Sequence, residues 1–196
     1  MRNLTDEELM QRYQKGESLA MDEFLRRYKN PIYYFSLRLG IDMHEAQDIT
    51  QEVFLRVHQS REKYRPIGKF STWIFSIAHN LCVSKLRRKK WCVLWPRKQD
   101  DPEQLVEFES PQPSPKEVAE GDEFACNLKR CIQELPLLQK EALILREYEN
   151  LDYKDIASIL KKPLGTVKIL IHRARQNLKS KLLPYLKEVK GGYCDV

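Results

Sequence analysis

The chain has 196 residues and a net charge of +6, and its length suits one medium domain or two small ones. Hydrophobic residues make up 42% of it and charged residues 32%, so it has enough apolar side chains to bury a core. Its seven glycines show no recurring Gly-x-Gly pattern, and no set of alternating strands is apparent. These features argue against a nucleotide-binding α/β enzyme.

Targeting and cysteine patterns predict a reduced protein of the cytoplasm. No apolar run approaches the roughly 18 residues of a membrane span, and residues 1–8 are too polar for a signal peptide, so we expect no direct membrane insertion. The five cysteines are odd in number and lack Cys-x-x-Cys spacing, which favours free thiols. His79, Cys82 and Cys92 could bind a metal but lack a fourth ligand, so no metal or other cofactor is expected.

Charge is distributed unevenly along the chain. Residues 1–90 carry 17 Lys and Arg against 11 Asp and Glu, residues 91–122 carry 3 against 8, and residues 123–196 carry 14 against 9. The acidic middle segment also contains five prolines, the composition of an extended linker. The two basic lobes should attract polyanions such as nucleic acid. We predict a first domain at residues 1–90, a linker at 91–122, a second domain at 123–187 and a tail at 188–196.

The first domain is predicted to be helical from its start. Thr5 and Glu8 form a capping box that opens the first helix, and a second helix begins near Ser18. Asn30-Pro31 resembles a cap followed by proline at the first helical position, so a new helix is expected there, ending at Gly40.

Two further helices complete the first domain. Asp42 opens one that runs to about Gln59, with Ile49, Val53 and Val57 at core-facing spacing. After a loop at residues 61–69, Ser71 is predicted to cap a long helix ending near Lys90.

The second domain is predicted to contain a helix-turn-helix. A helix from roughly Pro115 to Gln133 is followed by another that ends near Glu149. Asp152 caps a short helix, residues 161–166 form a tight turn, and residues 167–182 form the last long helix. The expected class is therefore all-α, with two small helical domains.

Three motifs in order carry a family resemblance. They are Asp48-Ile-Thr-Gln-Glu-Val-Phe-Leu55, then Phe70-Ser-Thr-Trp73 with Ile77-Ala-His-Asn80, and finally Pro163-Leu-Gly-Thr-Val-Lys168 with His172-Arg-Ala-Arg175. Together they resemble the extracytoplasmic-function (ECF) group of bacterial RNA polymerase sigma factors. The resemblance implies a protein without catalytic residues that binds core polymerase, directs it to promoters and promotes DNA opening.

The polymerase-binding face is expected on the third helix. Asp48, Gln51, Glu52 and Leu55 share a face that is polar apart from one leucine. That mixture suits a helix docking on a partner through a small apolar anchor, and in the family this helix binds a coiled coil of the largest polymerase subunit. The family usually has an acid where this chain has Gln47.

The resemblance places contacts to the −10 promoter element in the loop and the long helix that follow. Cationic grooves with aromatic platforms suit single strands, and an amide such as that of Asn80 can pair with a base edge. The candidate residues are Lys63, Tyr64, Arg65, Lys69, Trp73, His79, Asn80, Ser84, Arg87 and Arg88.

Contacts to the −35 element are expected near the start of the last helix, which a helix-turn-helix inserts in the major groove. Thr166 is predicted to cap that helix. This chain has Ile169-Leu170 where relatives usually have Ser-Arg, so either thymine methyl contacts or docking of an inhibitory partner is expected there. The candidate residues are Thr166, Lys168, Ile169, His172, Arg173, Arg175 and Lys179.

The remaining expectations concern partners. The resemblance implies that the polymerase flap contacts the C-terminal domain, that the acidic linker occupies the RNA exit path, and that an anti-sigma factor inhibits the protein. The alternative is a stand-alone dimeric helix-turn-helix repressor or activator, which would bind a palindrome without polymerase.

Overall fold

The computed structural model describes the backbone of residues 4–94 and 119–191 and the side chains of residues 4–88 and 124–185. The expected all-α class is confirmed, since the described residues form helices and connecting turns. The first lobe comprises α1 to α4 and the second lobe α5 to α8. Most of the predicted linker and part of the predicted tail lie outside the described residues. The helices are α1 (Asp6–Gln14), α2 (Leu19–Leu39), α3 (Met43–Ser60), α4 (Phe70–Leu94), α5 (Ala119–Gln133), α6 (Leu137–Glu147), α7 (Tyr153–Leu160) and α8 (Leu164–Gly191).

Local capping signals define the first helix boundaries. The Thr5 hydroxyl accepts a hydrogen bond from the Glu8 amide at 3.3 Å, and the Thr5 amide donates to the Glu8 carboxylate at 2.8 Å. The Asp42 carboxylate accepts from the Glu45 amide at 2.9 Å. Gly40 ends α2 with φ +98°, a left-handed conformation that glycine adopts at little cost. These predicted boundaries are confirmed.

The predicted helix break at Asn30-Pro31 is wrong, because α2 runs through Pro31 without interruption. An internal proline costs a helix about 3 kcal/mol. Here one apolar stripe extends along the whole helix and is buried on both sides of the proline. Burying such large side chains stabilises by about 1.5–3 kcal/mol each, which outweighs that cost. The buried residues of the stripe are Phe24, Tyr28, Ile32, Phe35 and Leu39.

The start of α4 depends on a contact with α1. Helix α4 begins at Phe70, so the prediction that Ser71 caps it is wrong. The Phe70 amide donates to the Glu7 carboxylate at 3.1 Å, which satisfies an amide at the helix start from another element. The Phe70 ring stacks on that of Phe24 with centroids 4.3 Å apart, so the start of α4 is fixed in the core.

An ion-pair network joins α1 to α2 at the edge of the first lobe. Arg27 donates to Asp6 at 2.7 Å and to Glu23 at 2.8 Å. Hydrogen bonds from Arg26 and Arg27 lower the pKa of Glu23 to about 2. Tyr28 donates its hydroxyl hydrogen bond to Asp6, and burial raises the Tyr28 pKa. This network holds α1 against the helix that carries most of the core.

The second lobe is organised around α8, which packs against α5, α6 and α7. The turn between α7 and α8 begins at Lys161, whose φ of +52° lies in the left-handed region, and the Lys162 amide donates to the Ala157 carbonyl at 3.0 Å. Val167 and Ile171 of α8 are buried. The helix-turn-helix is therefore present.

The two lobes pack directly against each other. Helix α4 contacts α7, and α2 contacts both α5 and α6. A single apolar cluster includes Ile74 and Phe35 of the first lobe together with Ile144 and Ile156 of the second. The described parts of the two lobes therefore share one core.

Candidate functional surfaces

Helix α3 presents the predicted polymerase-binding face to solvent. Ile49, Val53 and Val57 are buried, as the spacing predicts, which turns the opposite side of the helix outward. On that side Asp48 and Gln51 are exposed, and Leu55 is 55% exposed. The fourth predicted residue, Glu52, is half-buried and accepts from Arg56 at 2.7 Å. The structure thus brings all four residues onto one accessible face.

A groove of about 450 Å³ lies beside this face. Met21 and Leu25 of α2 and Phe54 and Leu55 of α3 supply apolar lining, and Gln51 lies at the same groove. Tyr13 of α1 also lines it and hydrogen-bonds to His58. Sequence spacing on α3 alone could not have revealed the groove, because α1 and α2 form much of it. An apolar groove next to exposed polar groups suits the docking of a protein helix.

The predicted DNA-binding residues in the loop before α4 differ in their exposure to solvent. Lys63 and Arg65 are exposed. Tyr64, a predicted −10 contact, is only 8% exposed and packs on Trp73 with ring centroids 4.8 Å apart. Lys69 forms ion pairs with Asp152 and Asp155 of the second lobe. In this arrangement the Tyr64 ring is part of the aromatic core, and contact of Tyr64 with DNA stays a prediction.

Helix α4 likewise exposes only part of its predicted set. Asn80, Ser84, Arg87 and Arg88 are exposed at helical spacing and form one polar, cationic stripe. Trp73 is half-buried, while His79 is only 8% exposed and faces the second lobe. The stripe can supply an amide, a hydroxyl and two guanidinium groups to a nucleic acid.

The helix-turn-helix presents its predicted residues along α8. Lys168, His172, Arg173 and Lys179 are exposed, and Ile169 is 52% exposed. Lys168 and His172 lie four positions apart, as do Ile169 and Arg173, and Lys179 follows His172 by seven positions, so one face of α8 combines cations with an apolar side chain.

Two predicted roles in the second lobe need revision. Thr166 is exposed, but α8 begins at Leu164, so the prediction that Thr166 caps the helix is wrong. Pro163 precedes the helix, and its carbonyl accepts from the Val167 amide at 3.1 Å. Arg175 is exposed, but its guanidinium donates to Glu147 at 2.5 Å, so it is already paired within the lobe.

The described residues include no group of three or more His, Cys, Asp or Glu side chains placed to bind a metal ion. Of the three possible metal ligands named from the sequence, His79, Cys82 and Cys92, the side chain of Cys92 lies outside the described residues. Burial raises the pKa of the Cys82 thiol to about 11, which disfavours thiolate ligation there. Among the described helices, none is long and apolar enough to cross a membrane.

Family comparisons match both lobes. The Sigma-70 region 2 model matches residues 24–92, and the Sigma-70, region 4 model matches residues 127–178. The RNA polymerase sigma-H factor of Pseudomonas aeruginosa is 33% identical in an alignment 192 positions long that covers 93% of this chain and 96% of that protein. The ECF RNA polymerase sigma factor SigW of Bacillus subtilis is 30% identical over 171 residues, covering 86% of this chain and 91% of that one.

Two solved complexes contain a chain with the same fold. CnrH, solved in complex with the cytosolic domain of CnrY, matches with a TM-score of 0.67 and 19% identity over 90% of this chain and 96% of that chain. RpoE of Bartonella quintana, solved with the anti-sigma factor NepR, matches with a TM-score of 0.66 and 21% identity over 82% of this chain and 95% of that chain. Both region models match, and the two relatives align with this chain over more than 90% of their own length. The chain therefore belongs to the ECF group of the sigma-70 family, whose members are transcription initiation factors.

Proposed function

We propose that this sigma factor binds core RNA polymerase through the exposed face of α3 and the groove beside it. The observation that carries the proposal is Leu55, a leucine 55% exposed at the rim of an apolar groove and flanked by Asp48 and Gln51. A buried apolar anchor surrounded by polar contacts is the usual composition of a strong protein interface. In the ECF family the corresponding partner is a coiled coil of the largest polymerase subunit.

Promoter recognition is assigned to two separate faces. Lys63 and Arg65 of the loop and the exposed stripe of α4, which includes Asn80, would contact the −10 element. The α8 face, with Lys168 and Arg173, would contact the −35 element through the major groove. The exposed Ile169 suits contact with a thymine methyl group, which would compensate for the arginine that relatives have nearby.

Other partners follow from the family. The second lobe would contact the polymerase flap, and the acidic segment at residues 91–122 would occupy the RNA exit path, which favours a polyanion-like chain. An anti-sigma factor would inhibit the protein, as a complex with such a factor is known for the Bartonella quintana relative. The predicted acids of that segment, Asp100, Asp101, Glu103, Glu107 and Glu109, lie outside the described residues.

Replacing Leu55 with glutamate tests the polymerase interface. L55E should weaken binding to core polymerase about tenfold or more, because a charge replaces the apolar anchor. The matched control is L19E, which puts the same charge at a 64% exposed leucine that does not line the groove. Co-purification with core polymerase and run-off transcription from a genomic promoter library would measure both variants.

Equal loss in L55E and L19E would contradict the α3 interface. A wild-type chain that gives no promoter-specific product would contradict the proposed function. Tight binding of the free chain to a palindromic site, without polymerase, would favour a dimeric regulator instead.

A further inference from the structure

A second groove, of about 630 Å³, lies where the C-terminal part of α2 meets α5. Its volume is in the range of small-molecule sites, which are often found between domains. It is separate from the groove beside α3 that we assign to polymerase, because the two have no lining residue in common. The proposed function therefore leaves this groove without a role.

The walls of the groove are aromatic and aliphatic. Tyr34 is 50% exposed and Tyr148 is 39% exposed, so both rings are accessible from solvent. Tyr33 contacts Tyr34 edge to face, with centroids 5.4 Å apart. A flat apolar ring suits such walls, since aromatic rings pack favourably edge to face or offset. The aliphatic lining comes from both lobes and consists of Leu37, Ile41, Leu128 and Ile132.

Arg38 supplies a cation to the groove. Its guanidinium is centred 4.0 Å from the Tyr148 ring and 5.6 Å from the Tyr34 ring. Among the described residues, its ion-pair partner is Glu149 at 3.6 Å, and none accepts a hydrogen bond from the guanidinium. Burial raises the pKa of Glu149 to about 7, so near neutral pH this carboxyl neutralises only part of the Arg38 charge. The N–H donors of Arg38 therefore suit a further acceptor.

Lys129 adds a second cation from α5. It is exposed and forms no ion pair with a residue in the described part of the chain. The other polar lining groups are engaged elsewhere. The Asp42 carboxylate caps α3, and the Gln133 side chain uses both its amide nitrogen and its amide oxygen in hydrogen bonds. The charged lining groups still available to a ligand are therefore cationic.

We propose that this groove binds a small aromatic carboxylate, whose ring packs on the tyrosines and whose carboxylate pairs with Arg38 and Lys129. A guanidinium matches a carboxylate in bidentate geometry. Two cations suit one carboxylate better than a polyphosphate, whose remaining charge would stay unpaired. The site lies outside the proposed function and does not depend on it, because the free chain already forms the groove.

Titration of 2-naphthoate into the free, ¹⁵N-labelled full-length chain tests the site. Amide chemical shifts should change with saturation at one site and a Kd of about 0.1–1 mM, the affinity expected of so small a ligand. The changes should centre on residues 33–43 and 125–133, which line the groove from the two lobes. The neutral analogue 2-naphthamide keeps the ring but lacks the charge, so it should bind at least about fivefold more weakly.

Two substitutions separate the cationic and aromatic contributions. K129Q should weaken 2-naphthoate binding about fivefold, because it removes a charge-assisted contact. Its matched control is K154Q, which removes an exposed lysine of the same lobe outside the groove and should change Kd less than about twofold. Y34A should also weaken binding about fivefold, since it removes an aromatic wall. Its control, L183A, truncates a 44% exposed leucine outside the groove.

R38K tests the geometry of the carboxylate contact. Lysine keeps the positive charge but loses the planar fork, so binding should weaken about threefold or more. The amide spectrum of each free variant would verify its fold. The comparison of 2-naphthoate with 2-naphthamide on the wild-type chain needs no variant, so it tests the proposal even where a substitution disturbs folding.

Four results would overturn the site: no saturable shift changes up to about 5 mM 2-naphthoate, equal affinity for 2-naphthamide, changes centred outside the groove, or equal weakening in K129Q and K154Q. Failure of the chain to bind polymerase would remove the proposed function alone. The two failures are distinguishable, because the titrations contain no polymerase and no DNA.

Discussion

In the second lobe, the fold shifts the pKa of Glu149 strongly toward neutral pH. Its side chain is 7% exposed, and burial raises its pKa to about 7. Arg38 opposes this change by attraction at 3.6 Å but does not cancel it. Compared with the unfolded chain, the folded protein therefore favours the protonated carboxyl of Glu149. Its contribution to folding is fully present below the unfolded pKa of about 4.5 and is lost as pH rises through about 7.

Replacing Glu149 with glutamine should remove this pH dependence. E149Q cannot ionise, so its stability relative to the wild type should increase by about 1–3 kcal/mol between pH 4.5 and pH 8. Urea unfolding at several pH values would measure the free energy of unfolding of both proteins. The control E17Q changes an exposed glutamate and should leave the wild-type pH profile unaltered. A constant difference between E149Q and wild type across this range would contradict the assignment.

At the scale of helices, sequence signals succeeded where the determining contacts are local. Thr5 and Asp42 cap their helices as predicted, since each needs only an amide three residues away. The signals at Pro31 and Ser71 misled, because a continuous buried stripe and a carboxylate from α1 override the local preference. The candidate binding surfaces are subject to the same limit, since contacts from other elements can override a local signal.

Site residues were predictable where a helix face alone decides exposure. The faces of α3 and α8 lie at the surface as their spacing predicts. The burial of Tyr64 and His79 could not be predicted, because it depends on packing in the first lobe and on a glutamate 62 positions further along the chain. Contacts between lobes leave no periodic signal in either segment.

The α8 face carries a prediction about salt dependence. R173A should weaken promoter binding by the holoenzyme and reduce the slope of log affinity against log salt by about 1, because one phosphate or base contact is lost. R175A should change both less, since that guanidinium is already paired with Glu147 at 2.5 Å. K129A on α5 is the control for loss of an exposed cation outside the helix-turn-helix. Binding titrations at several salt concentrations would measure the slopes, and equal effects of all three changes would contradict the assigned face.

The whole molecule has one core distributed over two lobes. Ile74 of α4 and Ile156 of α7 belong to the same buried cluster, and Lys69, His79 and Arg38 add polar contacts along the boundary. Folding of each lobe is thereby coupled to the other, so their unfolding should be cooperative. The three tryptophans all lie between residues 73 and 95, which makes their fluorescence a probe of the first half of the chain.

Thermal unfolding of the free chain should therefore give the same midpoint by tryptophan fluorescence and by circular dichroism at 222 nm, which reports helices of both lobes. D152N/D155N should lower this shared midpoint by no more than about 2–4 °C, because exposed ion pairs contribute at most about 1 kcal/mol. The apolar core would keep the lobes coupled in that variant. Two separate midpoints in the wild type would contradict a shared core, and separation only in D152N/D155N would show that the Lys69 ion pairs, rather than the apolar cluster, hold the lobes together.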